Sequence, residues 1–178
     1  MPSHNEVIDN YFNSSSRTTY NKGNNVFFEG DKLYSYGYHF ILAQKCMNGY
    51  IINGDGYSIS TTKHQSITRR HVSGYNYVTV PFSAIEAFFR SIKQQGTDIN
   101  EFNIIDKTKD FYTQVKYTDK DGTIKERDIH HLGASLIKYK KHYLLLVFTS
   151  QYCQLYPISS IIQKNAFQST PNGTQNRL

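Results

Sequence analysis

Residues 33–71, LYSYGYHFILAQKCMNGYIINGDGYSISTTKHQSITRRH, carry the densest structural signal in the chain. Apolar and tyrosine-rich runs alternate with Asn-Gly and Asp-Gly pairs, and the stretch ends in Lys63, His64, Gln65, Arg69, Arg70 and His71. Asn-Gly and Asp-Gly favour the positive-φ geometry of tight turns, so Asn48-Gly49, Asn53-Gly54 and Asp55-Gly56 are expected to separate short strands. The reading gives strands near Phe40–Met47, Tyr50–Asn53 and Tyr57–Thr61. A short helix over Lys63–Val72 is the other expectation, with Thr61 or Thr62 as its N-cap.

The same grammar extends both ways. Gly30-Asp31 divides Val26–Glu29 from Lys32–Tyr36, and Asp121-Gly122 divides Phe111–Thr118 from Thr123–His130. Further strands are expected near Tyr75–Val80, Ala134–Tyr139, Tyr143–Thr149 and Cys153–Tyr156. A covering helix is predicted over Ala84–Gln95. There Ser83 and Glu86 form a capping-box pattern after Pro81, Ile85, Phe88, Phe89 and Ile92 recur at helical spacing, and Gly96 supplies a stop. The fold class predicted is α+β: a mostly antiparallel sheet of hairpins with one or two covering helices.

With 178 residues the chain suits one domain, and it is long enough to build a core without disulfides or metals. That core should be aromatic, since there are 15 Tyr and 11 Phe but no Trp. Residues 1–24 read as a polar N-terminal arm, in which Val7, Ile8, Tyr11 and Phe12 suit one amphipathic helical turn. Residues 25–167 read as the domain and 168–178 as a disordered tail. The N-terminus lacks a basic segment followed by an apolar one, and the longest apolar run, Tyr143 to Phe148, is too short to span a bilayer. A cytoplasmic location without membrane association is therefore expected.

The net charge of +6 suits attraction to polyanions, and nucleic acid is one partner class it favours. Cys46 and Cys153 alone give neither a disulfide framework nor a four-thiolate zinc site, so both read as buried thiols. Gly54-Asp55-Gly56 lacks the helix start that a dinucleotide loop needs, and Asp119-x-Asp121-Gly122 lacks the rest of a calcium loop. No cofactor is expected.

Histidine titrates near neutrality and serves as acid, base or ligand. His64 and His71, seven residues apart, would share one helical face, with Arg69 and Arg70 able to bind phosphate bidentately. An ordinary solvated face accounts for the same residues. His130-His131 on one strand would point to opposite faces. Lys138, Lys140 and Lys141, interleaved with Tyr139 and followed by His142, form a second basic cluster. It suits either backbone contact with nucleic acid or solvation of a hairpin turn.

The elements Tyr34-Ser35-Tyr36-Gly37-x-His39, Asn53-Gly54-Asp55-x-Tyr57-Ser58 and Ser60-Thr61-Thr62-x-His64-Gln65, followed downstream by His131-Leu132-Gly133-Ala134-Ser135-Leu136, Tyr143-Leu144-Leu145 and Phe148-Thr149-Ser150, form an ordered series. Over about Leu33–Ile158 this series resembles a family of small proteins encoded by bacteriophages and other mobile elements. Gln151 and Tyr152 stand where those proteins tend to carry Asp. The resemblance implies a setting rather than a reaction, and it points to Tyr36, His39, Tyr57, Ser60, Thr62, His64 and Gln65.

Three functions are compatible with these observations. The first is a non-enzymatic phage-type accessory protein of the bacterial cytoplasm. It would bind nucleic acid or a host protein complex, one concrete version being inhibition of a host defence system that holds nucleic acid. The binding residues would be Lys63, His64, Gln65, Arg69, Arg70, His71, Lys138, Lys140 and Lys141. The second is a metal-independent phosphodiesterase or nuclease in which His39 and His64 are acid and base. The third is a structural or assembly protein of a phage particle.

Overall fold

The computed structural model describes residues 1–13, 20–22, 25–96, 99–148 and 153–158; the expected tail at 168–178 lies outside them. Helix α1 (His4–Asn13) opens the chain, followed by strands β1 (Tyr20–Lys22), β2 (Val26–Glu29), β3 (Lys32–Ser35), β4 (Ile41–Cys46) and β5 (Gly49–Asn53). Helix α2 (Ile59–Val72), strand β6 (Tyr77–Val80) and helix α3 (Phe82–Ser91) come next. A 3-10 turn at Ile99–Glu101 then leads into β7 (Phe102–Thr118), β8 (Ile124–Tyr139), β9 (His142–Phe148) and β10 (Cys153–Ile158). The α+β class with mostly antiparallel pairing is present as read from the sequence.

The strands make two sheets, ordered β1-β2-β3-β4-β5-β6 and β10-β9-β8-β7. Among the described residues only β5 and β6 pair in parallel, so α2 is the crossover of a β-α-β unit. Period-two alternation divides the core between the two faces of the first sheet. On β5, Ile52 joins Val7, Ile8, Tyr11 and Phe12 of α1 and Ile67 of α2 in one cluster. Its neighbour Ile51 packs on the other side with Phe88 and Phe89 of α3 and Phe102, Tyr139 and Leu144 of the second sheet. That second cluster is built on edge-to-face rings, with Phe89 and Tyr139 4.9 Å apart at 84°. The amphipathic turn expected near Val7–Phe12 is a ten-residue helix whose four apolar side chains are buried.

Several expectations change. Tyr57–Thr61 is not a strand. Ser58 caps α2 by accepting from the Thr61 amide, which starts the helix four residues before Lys63 and displaces Thr61 and Thr62 from the cap position. Asn53-Gly54-Asp55-Gly56 is therefore the entry to a crossover and not a hairpin turn. Helix α3 spans Phe82–Ser91 rather than Ala84–Gln95, and the capping box does not form. Instead Asp55, from that crossover entry, accepts from the Ser83 amide at 2.8 Å and the Ser83 hydroxyl at 2.6 Å, while Asn53 accepts from the Phe82 amide. At the other end Lys93 takes φ 55 and ends the helix before Gly96 is reached.

Gly49 also has a different role from the one its Asn-Gly context suggests. It sits at the start of β5, where a Cβ would lie 2.1 Å from the Asn76 carbonyl oxygen. Close approach of β6, not a positive φ, requires glycine there. In the second sheet, the two strands expected at Thr123–His130 and Ala134–Tyr139 are one strand, and β7 begins at Phe102 rather than Phe111. Register shifts between Ile104 and Phe111 mark the bulges that let so long a strand bend. Among the described residues, β9 pairs with β8 over Ser135–Tyr139. Beyond that, β7 and β8 continue as a two-stranded ribbon to the turn at Asp119–Thr123.

Cys46 is a half-buried free thiol that burial pushes above its ordinary pKa, and the Cys153 side chain lies outside the described residues. The same holds for the side chains of His130 and His131.

Candidate nucleic-acid interface

Helix α2 is a weak helix former on its own, with Ile59, Thr61, Thr62, Ile67 and Thr68 β-branched. Its buried face is unusually polar: Thr61, His64, Gln65 and Thr68 accompany Ile67 and Val72. Each polar group there needs a partner, because an unpaired one would cost its full desolvation. The Ser35 hydroxyl and Nδ1 of His64 share a 2.8 Å hydrogen bond, tying α2 to the end of β3. The Gln65 amide donates to the carbonyls of Asn53 at 3.1 Å and Asp55 at 2.8 Å, and Thr68 donates to the His64 carbonyl. His64 and Gln65 thus direct their polar atoms into the fold.

The electrostatics of His64 follow from this burial. The ring is 2% exposed, with the His4 ring edge-on at 4.5 Å and the Tyr36 ring at 5.3 Å. Desolvation, assisted by His4 and by the charge of Lys63, depresses its pKa to about 4. At neutral pH His64 is an uncharged imidazole.

The opposite face of α2 presents Thr62, Lys63, Ser66, Arg69 and Arg70 to solvent. The helix contains no acidic residue, and among the described residues no carboxylate forms an ion pair with Lys63, Arg69 or Arg70. His71 is set apart from them, with Nδ1 3.4 Å from Asp9 of α1.

Beside the first turn of α2 lies the β3–β4 connection. Tyr36 adopts φ 56 and Gly37 φ 108, with the Tyr36 amide donating to Asn25. A left-handed tyrosine is uncommon, and here it holds a side chain at the surface. Tyr36 is 41% exposed, Tyr38 63% and Tyr57, just before the cap, 64%. Tyr38 packs against Phe27 and Tyr34, and the exposed His39 ring lies 5.7 Å from Tyr57. His39 and His64 therefore have different ring partners, although both sit near this connection. Ser60 and Thr62 are exposed, so the positions singled out by the resemblance divide between the surface and the interior.

The second basic cluster is on the other sheet, at the β8–β9 turn. Lys138 lies over the Tyr143 ring at 5.1 Å, Lys140 pairs with Glu101 at 3.4 Å, and Lys141 is exposed. Among the described residues no hydrogen bond, ion pair or ring contact joins this cluster to α2.

Sequence reasoning missed Ser35, which stood inside a quoted element without a role, and Ser58, whose spacing to Thr61 was the available signal. It also missed Tyr38, since an aromatic in a strand-rich region reads as core. Among the described residues no group of three or more His, Cys, Asp or Glu converges as a metal site, and no helix is long and apolar enough to cross a membrane. No family model matches the chain, and comparison with curated proteins and with solved structures returns no match.

Proposed function

We propose that this protein is a non-enzymatic binding module that engages single-stranded nucleic acid along the solvent face of α2. The observation carrying this reading is the set of cations Lys63, Arg69 and Arg70, without an ion pair among the described residues, on one exposed helix face, with exposed Tyr36 and Tyr57 beside its first turn. Cations that track a phosphate backbone, combined with tyrosines on which bases stack, are the usual means of holding single strands. The helix spans about 20 Å at 1.5 Å per residue, long enough to follow several nucleotides of a single strand.

The phosphodiesterase reading has less support. His64 is buried, neutral and hydrogen-bonded to Ser35, while His39 packs beside Tyr57. The setting, a phage-type accessory protein of the bacterial cytoplasm acting on a host defence complex, rests on the sequence resemblance and belongs to the proposal.

Fluorescence anisotropy with labelled single-stranded DNA and RNA tests it. Binding should weaken linearly on a logarithmic salt scale, and Lys63→Ala/Arg69→Ala/Arg70→Ala should lower the salt slope by roughly 2–3. Undetectable binding at low salt would overturn the nucleic-acid reading. Recovery of one host complex from nuclease-treated lysate would then favour a protein partner.

A further inference from the structure

Tyr36 and Tyr57 stand beside the first turn of α2, and each exposed ring is backed by a buried one. The Tyr36 ring lies 5.3 Å from that of His64, tilted by 30°, and His64 is itself held by the Ser35 hydroxyl. The Tyr57 ring lies 5.3 Å from that of buried Phe40, at 40°. His39 sits between the two tyrosines. Its Nδ1 would be 3.3 Å from a Cβ added at Gly37, the neighbour of Tyr36, and its ring is 5.7 Å from Tyr57. Tyr36, His39 and Tyr57 thus make one exposed strip of rings. Among the described residues no hydrogen bond or ion pair engages these three side chains.

The backbone of Tyr36 is strained to hold this arrangement. It is the one aromatic residue with positive φ among the described residues. That conformation is unfavourable for a bulky side chain, and such strain gathers at ligand-binding positions. A ring left 41% exposed gains little burial in return. The rings call for a flat partner. Lys63, Arg69 and Arg70, on a helix with no acidic residue, call for an anionic one. Unpaired nucleotides supply both in a single ligand.

Resting on the reading of α2 as a nucleic-acid surface, we propose that this strip takes two consecutive unpaired bases. One base stacks on Tyr36 and the other on Tyr57, while a ring N–H of His39 donates to the phosphate between them. The strip then selects unpaired over paired strands, because stacked neighbours cover both faces of a base in a duplex. The cations of α2 follow the backbone and set the salt dependence, and the tyrosines set the requirement for bases.

Fluorescence anisotropy of the full chain tests this with two labelled probes of equal length, an oligothymidylate and an abasic sugar–phosphate strand. The wild-type protein should bind the oligothymidylate roughly a hundredfold more tightly, about tenfold for each stacked base. Tyr36→Gly and Tyr57→Ala should each lose about tenfold on the oligothymidylate and nothing on the abasic strand. Their salt slopes should match the wild type, since stacking releases no counterions. Tyr36→Phe and Tyr57→Phe keep a ring and should retain the affinity. The Tm of Tyr36→Gly should hold or rise, because glycine adopts positive φ without strain. The proposal is overturned if the wild-type protein binds the two probes equally, or if the oligothymidylate binds as tightly when paired with its complement. It is also overturned if Tyr36→Gly and Tyr57→Ala retain the affinity, or if they lose it equally on both probes. Should neither probe bind at low salt, the nucleic-acid reading of α2 falls and this one with it. Oligothymidylate binding that only Lys63→Ala/Arg69→Ala/Arg70→Ala weakens would uphold that reading and overturn this one.

Discussion

His64 shows how one side chain can carry a catalytic signature and serve the fold instead. Its pKa of about 4 lies below the ordinary 6.5, so the unfolded chain binds a proton that the native state excludes. Between pH 6.5 and pH 4 the unfolded state therefore holds more protons, and stability falls as pH falls through that window. The loss is at most about 3 kcal/mol, taking 1.36 kcal/mol per unit. Denaturant titrations at several pH values should show this slope, and His64→Asn should flatten it, since an amide does not titrate there. Ser35→Ala leaves the ring nitrogen unpaired and should cost about 1–3 kcal/mol at pH 7. A pH-independent stability between 4 and 6.5 in the wild-type protein would contradict this account.

At the scale of elements, two glycines that each follow a turn-forming residue, Asn48 or Asp55, have opposite roles. Gly49 meets the Asn76 carbonyl so closely that a methyl group has nowhere to go without parting β5 from β6. Gly49→Ala should destabilise the protein by about 1–3 kcal/mol or more, as overpacking against rigid backbone does. Gly56 has open space around it and no positive φ, so Gly56→Ala should be neutral or stabilise by up to about 1 kcal/mol. Thermal melts of the two variants decide the point. The start of α3 offers a similar contrast. Asp55→Ala removes the acceptor of the Ser83 amide and hydroxyl and should cost about 1 kcal/mol, the value of a lost N-cap. Glu86→Ala, which a capping box would make costly, should stay within about 0.5 kcal/mol because that residue is an exposed helix position.

For the whole molecule, the two sheets differ in how completely they are used. The first is covered on both faces. In the second, the β7–β8 ribbon runs beyond the reach of β9, and residues 116–126 at its end contain no buried side chain. An isolated pair of strands is at most marginally stable, so the ribbon should add little to global stability. Replacing residues 116–126 by Asn-Gly, so that the register partners Val115 and Arg127 flank a two-residue turn, should move Tm by no more than a few degrees. A large drop would mean that the ribbon packs on the body of the protein.

The chain by itself determined the fold class, most of its strands and an aromatic core. Alternation, Asn-Gly and Asp-Gly turns and the Ile/Phe stripe of α3 are local properties written in consecutive residues. The cationic residues of α2 were equally legible. What the tertiary structure decided is which side of that helix each residue occupies. His64 and Gln65 look like site residues beside Lys63 and Arg69, but the 100° step of a helix turns them inward, where Ser35, Asn53 and Asp55 satisfy them. The identity of those partners, the Asp55 cap on α3 and the approach of Asn76 to Gly49 all join segments 10 to 29 residues apart. Local propensity carries no information about such pairings, because they form only when burial removes water and forces each polar group to find a partner.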